Sequence, residues 1–174
     1  MPYNVQRHRE KCEAAKREAR IQAALNLQGH IGVEFMLGGW GARSREAFTD
    51  QWSGNHATGW EWPEIFRRHN EPDQLDMSIW GPDGERLCGL GLGLTRGDYV
   101  ELRFIEGDPR LDCPLRGRRA LIFLECSTCY AQARGRSELR IEPINEGLAN
   151  LYQKVYGFTL ANYHDGRPYF TKRV

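Results

Sequence analysis

One stretch stands out for the chemistry its residue types could do. Cys113-Pro-Leu-Arg116-Gly117-Arg118-Arg119-Ala120 sets three arginines around one glycine, immediately ahead of an apolar run. If that run is a helix, its first backbone N–H groups point back into the loop, and the helix dipole favours negative charge there. Gly117 allows close backbone approach, and the guanidinium groups of Arg116, Arg118 and Arg119 can pair with phosphate oxygens. Residue types like these can hold a phosphate. An ordinary basic loop before a helix is the alternative.

Other spacings invite chemistry and fail on context. Gly89-Leu-Gly91-Leu-Gly93 touches the dinucleotide-binding fingerprint, but its glycines alternate with leucines and no helix follows. It predicts a flat strand face that another backbone or a ligand approaches closely. Cys126-Ser-Thr-Cys129 lies within a helical pattern and has no second pair at zinc spacing, so two core thiols are expected, with Cys113 and His164 as the only conceivable recruits. The five histidines show no metal-ligand spacing, no metal is expected, and no G-x-S-x-G elbow is present.

The elements that must carry these residues can be read from periodicity. Val5 to about Leu27 is rich in Ala, Glu, Lys, Arg and Gln and predicts one helix, ending near Gly29. Its apolar stripe is made of small residues (Cys12, Ala15, Ala19, Ala23), which predicts an arm rather than a core element. Val33–Leu37 reads as a strand, Ser44 as the N-cap of a helix toward Trp52, and Pro63 as the first turn of another. From Asp76 the period changes. Met77–Trp80, Leu87–Leu94 and Tyr99–Glu106 read as an antiparallel meander joined by Gly-Pro-Asp-Gly and Thr-Arg-Gly-Asp turns. A buried helix over about Arg116–Arg134 follows, then a strand (Glu138–Glu142) and a helix (Asn145–Tyr156) with Leu148, Leu151, Tyr152 and Val155 on one face. A final hairpin, Phe158–Tyr163 and Pro168–Lys172, turns at Asp165-Gly166. The strand–helix–strand crossover should be parallel and right-handed.

Composition sets outer limits. The 174 residues suit one core-bearing domain. A formal net charge of +1 argues against a whole-molecule attraction to nucleic acid or anionic membrane. No apolar run approaches the roughly 20 residues of a bilayer span. The basic N-terminal residues have no apolar segment behind them, and five scattered cysteines do not make a disulfide framework; a cytoplasmic setting with free thiols is expected. Glu10, Glu13 and Glu18 among the N-terminal cations favour a solvated helix or a homodimer contact over a nucleic-acid arm.

The order β-β-β-α-β-α-β-β after residue 75 resembles the GNAT superfamily, the acyl-CoA-dependent N-acyltransferases. The best local match is Asn145-Glu-Gly-Leu-Ala-Asn-Leu151-Tyr152-Gln-Lys154-Val-Tyr156-Gly157-Phe158, which is similar to the family pattern N-x-x-A-x-x-L-Y-x-K-x-G-F but one residue longer before the glycine. The resemblance covers about residues 75 to 173. The family's pyrophosphate loop, Q/R-x-x-G-x-G/A, is met by the arginine-rich stretch, where only Gly117 is a glycine.

The resemblance implies an α/β (α+β) GNAT fold: a mixed twisted sheet with an antiparallel N-terminal meander and a central β-α-β crossover. Residues 1–29 would be a helical extension and 30–174 the acyltransferase domain. It implies acetyl-CoA as acyl donor and a primary amine of unknown class as acceptor, reacting directly in a ternary complex. Backbone near Phe104, Ile105 and Glu106 would meet the acyl carbonyl. Arg116, Gly117, Arg118, Arg119 and Ala120 would hold the pyrophosphate, and Asn145 would line the cofactor side. Tyr152 would be the general acid, with Tyr156 as substitute if the extra residue rotates the helix. Glu101, Glu106 and Glu142 are candidate bases. Trp52, Trp60, Trp62 and Phe66 fall where the family covers its acceptor, and either receive a flat acceptor or cap the sheet. A GNAT-like domain that binds without catalysing remains the alternative.

Overall fold

The computed structural model describes residues 2–54, 58–142 and 146–174. The elements are α1 (Pro2–Leu27), β1 (Met36–Gly38), α2 (Ala42–Ala47), a π-helical turn (Phe48–Trp52), α3 (Trp62–Arg68), β2 (Leu75–Trp80), β3 (Leu87–Arg96), β4 (Tyr99–Gly107), α4 (Arg119–Ala133), β5 (Glu138–Ile141), α5 (Glu146–Lys154), β6 (Thr159–Asn162) and β7 (Pro168–Arg173). The strands form one seven-stranded sheet in the order β1-β2-β3-β4-β5-β7-β6. Every neighbour pair is antiparallel except β4–β5, the parallel pair joined through α4.

Two apolar layers cover the sheet. On the back, Leu75, Met77, Ile79, Val100, Leu102, Leu139, Ile141 and Phe170 pack with α4, α1 and Tyr152 of α5. On the front, Trp80, Leu87, Leu90, Leu92 and Leu94 pack with Phe48, Trp52, Trp62 and Phe66. Strand β3 serves both layers. Its leucines face the front. On the back, a Cβ at Gly89 or Gly91 would stand 2.9 or 2.8 Å from the Phe123 ring. The close approach expected of this strand is real, and the approaching group is an aromatic side chain of α4.

Several boundaries differ from expectation. α1 is not a loose arm: Ala15, Ala19, Ala23 and Leu27 are buried in the back layer, and Cys12 is buried too. Small side chains let the helix come close, and polar bonds anchor it. Arg20 Nη2 donates to the Asp76 carbonyl at 2.6 Å and to its carboxylate at 3.1 Å. The turns before Cys12 stay exposed. The first strand lies at Met36–Gly38 rather than 33–37 and pairs with β2. Ser44 is not the N-cap of α2; Gly41 is, and Ser44 Oγ accepts its N–H at 2.8 Å from the first turn. Helix α4 starts at Arg119, three residues late, because 110–118 is taken up by turns. Val155 lies past the end of α5 and is exposed.

Candidate active site

Strands β4 and β5 stay together for only four residues, Tyr99–Leu102 against Glu138–Ile141. Beyond Leu102 the β3–β4 register shifts, with Leu92 opposite Phe104 and Gly93 opposite Leu102, so Arg103 is the extra residue of a bulge. A bulge bends its strand and sharpens the local twist. From there β4 continues to Gly107 paired with β3 alone among the described residues, and a wedge opens between it and β5. Phe104, Ile105 and Glu106 all lie on this lip, beyond the last β4–β5 pair among the described residues. Backbone N–H and C=O groups of Phe104 and Ile105 that face away from β3 have no strand partner among the described residues, and such groups need a partner from solvent or a ligand.

The loop from Asp108 to Arg118 carries the chain from that lip to α4. A buried carboxylate organises it. Asp108 accepts from Arg86 Nε at 2.8 Å, from Arg110 Nε at 2.8 Å and Nη2 at 3.0 Å, and from the Arg110 backbone N–H at 3.0 Å. Burial alone would raise its pKa; the Arg110 and Arg86 bonds outweigh that and hold it below the ordinary carboxylate value. Cys88 and Cys113 lie with it in a group whose ligating atoms are all within 4.8 Å. Both carboxylate oxygens are already engaged by arginine, however, and burial pushes the Cys88 thiol up to about 12.

The arginine-rich stretch divides in two. Arg119 turns inward: its Nη1 donates to the Asp108 carbonyl at 3.0 Å, and its guanidinium lies where a side chain on Gly107 would have to be. Arg116, Gly117 and Arg118 are exposed, while Ala120 is half-buried. Gly117 has φ 83°, and no heavy atom lies within 4 Å of where a Cβ would sit. Arg118 is the N-cap of α4 and makes no side-chain capping bond, and the first turn carries no acidic residue. The first N–H groups of α4 therefore face an open, cationic approach. Such an approach can receive an anionic group, with the Arg116 and Arg118 side chains exposed beside it and Arg119 part of the loop's scaffold.

Tyr152 is fully buried, its ring 5.9 Å from both Phe158 and Phe170. It shares the back layer with Leu102 and Ile141, the last pair before the wedge opens. Its hydroxyl has no hydrogen-bond partner among the described residues. Burial, with a smaller push from the Tyr156 phenol, raises its pKa to about 12. The extra residue in this motif falls beyond the end of the helix. α5 ends at Lys154, and Tyr156 falls in the turn closed by Gly157 at φ 74°. Tyr156 is half-buried beside Tyr152, and its pKa is also raised by burial. Asn145 lies outside the described residues.

The candidate bases separate clearly. Glu106 is buried and tied to the α3 side, accepting from Trp62 Nε1 at 2.7 Å and Thr58 Oγ1 at 2.8 Å. Glu142 follows β5 and pairs with Arg103 at 3.3 Å and Arg167 at 3.4 Å. Glu101 is buried, with only Arg96 at 4.0 Å as an ion-pair partner among the described residues. Burial raises its pKa; Arg103, Arg96 and Arg167 pull it down, and Glu142 adds to the rise.

The aromatic segment splits likewise. Trp52, Trp62 and Phe66 are buried and cap the sheet. Trp60 and Phe104 stay partly exposed at the wedge, edge to face at 5.2 Å, with His69 5.7 Å from Phe104. Cys126 and Cys129 are buried thiols, pushed up by burial to about 12 and about 11. Sequence reasoning missed Arg103 and the pairing of Asp108 with Arg86 and Arg110. Only the bulge brings the first to the wedge, and no local spacing announces the second.

No protein-family model matches the chain, and no curated protein matches it. Solved structures do. The ribosomal-protein-S18-alanine N-acetyltransferase of Escherichia coli superposes with a TM-score of 0.58 at 17% identity, over 81% of this chain and 94% of the other. The PaiA N-acetyltransferase of Thermoplasma acidophilum, in complex with coenzyme A, gives 0.55 at 16% identity, over 81% and 99%. A GNAT-family acetyltransferase of Listeria monocytogenes gives 0.56 at 17%, over 82% and 96%. The chain has the GNAT fold, with α1 added ahead of it. Among the described residues no helix is long and apolar enough to cross a membrane.

Proposed function

We propose that this protein is an N-acetyltransferase that moves the acetyl group of acetyl-CoA to a primary amine within a ternary complex. The observation that carries the proposal is the wedge between β4 and β5, opened by the Arg103 bulge and lying beside an uncapped, basic α4 N-terminus. The coenzyme A complex of the Thermoplasma relative supports the choice of donor class. In this reading the α4 N–H groups, Arg116 and Arg118 bind the pyrophosphate. The β4 backbone near 104–106, past the bulge, donates to the thioester oxygen as negative charge develops there. Glu101 accepts a proton from the acceptor ammonium, directly or through a water, leaving the free amine to attack. Tyr152, neutral over the whole working range, gives its proton to the departing thiolate.

The test is calorimetric titration of the protein with acetyl-CoA and, alongside it, desulfo-CoA, which excludes thiol exchange at the cysteines. Micromolar binding of both, weakened about tenfold or more by Arg116→Ala/Arg118→Ala, is the expected outcome. No binding at millimolar ligand would overturn the enzyme reading. It would favour a binding module of the same fold, a reading supported by the loss of Arg119 to the loop's own scaffold.

A further inference from the structure

Arg103 stands at the mouth of the wedge and holds three things together. Its guanidinium lies over the Phe104 ring, 5.2 Å from the centroid. Its Nη1 donates to Glu142 Oε2 at 3.3 Å, so the pair bridges the place where β4 and β5 have parted. It is also the foremost of the cations acting on the buried Glu101. A planar cation is thus seated on an aromatic face and paired with the Glu142 carboxylate, at the entrance an acceptor must use. Cations are drawn to such faces, most strongly where water is partly excluded.

We infer that the Arg103 guanidinium occupies the acceptor's ammonium site, and that the acceptor is a primary amine with an apolar or aromatic body and no carboxylate beside its nitrogen. This rests on the acyltransferase reading above. The incoming ammonium takes the place on Phe104 beside Glu142, and its apolar body lies along Trp60, which stays partly exposed beside that ring. Arg103, with 42% of its side chain exposed, swings into solvent. Arg167 remains on the other Glu142 oxygen at 3.4 Å, so that carboxylate keeps its position during the exchange. An α-amino acid fits poorly, because its carboxylate would face Glu142. Arg103 is therefore a specificity-determining gate.

The experiment compares wild type with Arg103→Ala, both loaded with CoA, by calorimetric titration with 2-phenylethylamine, phenylalanine and 3-phenylpropionate. The gate predicts that the variant binds 2-phenylethylamine at least fivefold more tightly than wild type, and that phenylalanine and phenylpropionate stay weak on both. Unchanged or weaker amine binding in the variant overturns the proposal. So does phenylpropionate binding to wild type that the variant loses, since Arg103 would then be an anchor for an acceptor carboxylate. Acetyl-CoA affinity, measured on the same samples, separates the two readings: if it holds while the amine result fails, only the gate is lost. A Glu142→Gln variant supplies the second check, with weaker 2-phenylethylamine binding expected and unchanged binding counting against the site.

Discussion

Phe123 lies directly under Gly91, where an added Cβ would stand 2.8 Å from two ring carbons. Neither partner can give way cheaply, because Met77 closes the same space, its Cε 3.2 Å from that Cβ position. Gly91→Ala should therefore lose about 1–3 kcal/mol through overpacking. Phe123→Leu in the same chain should recover part of the loss, with a coupling of about 1 kcal/mol. Urea unfolding of the two single variants and the double variant measures this. Additive losses would mean that the ring and the glycine do not meet.

Tyr152 joins burial to a hydroxyl with no hydrogen-bond partner among the described residues, a costly combination for a residue whose role is packing alone. Tyr152→Phe should lower kcat by about 100-fold, as the loss of a positioned acid does. It should leave acetyl-CoA affinity unchanged. The melting temperature should stay level or rise, since an unsatisfied buried hydroxyl goes with it. A clear drop in melting temperature with kcat intact would make the phenol structural.

Glu101 gives two pH dependences with fixed signs. Its pKa is raised in the folded chain, chiefly by burial. As a base it works only when ionised, so kcat/KM should fall as pH drops through a value above the ordinary carboxylate range. Glu101→Gln should remove that limb along with most of the activity. Stability runs the other way: the folded state holds the proton more tightly than the unfolded chain, so wild type loses stability as pH rises through the folded pKa. The Gln variant should lack that decline. Denaturant midpoints across pH 4 to 8 check the second dependence, and initial rates check the first.

Asp108→Asn should destabilise the chain by about 1–3 kcal/mol, because Arg86 and Arg110 lose the charge they surround. Both arginines are part-exposed, so the loss stays below that of a fully buried pair. The wild-type contribution is present above the unfolded carboxylate pKa and disappears as pH falls through the lowered folded value. Acetyl-CoA affinity should fall too, since the Asp108 carboxylate fixes the loop whose backbone carbonyl holds Arg119 at the head of α4. Chemical denaturation and calorimetry report the two effects separately.

Much of this architecture was legible in the sequence. The meander, the crossover helix, the last hairpin and the turn at Pro63 all follow from period and turn chemistry, which act locally. The alternation of Gly89 to Gly93 foretold a close approach, though not that Phe123 would make it. The site was less legible because its decisive features are non-local. Arg119 reads as a phosphate ligand until the fold brings the Asp108 carbonyl within its reach. Glu106 reads as a base until α3 sets Trp62 against it. Arg103 reads as a surface residue of a strand, because a bulge depends on the register of two strands and leaves no mark on one. The small-residue stripe of α1 suggested weak packing, whereas close approach and the Arg20–Asp76 bonds supply what side-chain bulk does not.

The docking of α1 on α4 reaches beyond packing. A ligand that binds only the folded state raises the cost of every opening that exposes its site. A site at the head of α4 therefore shields whatever must open together with that helix. The stripe from Ala15 to Leu27 lies in the layer α4 builds, and Asn26 Nδ2 donates to Glu125 of that helix at 2.8 Å. Amide hydrogen exchange along this stretch of α1 should slow when acetyl-CoA is added, while the exposed turns before Cys12 exchange as before. The added helix would then register the donor's presence without touching it.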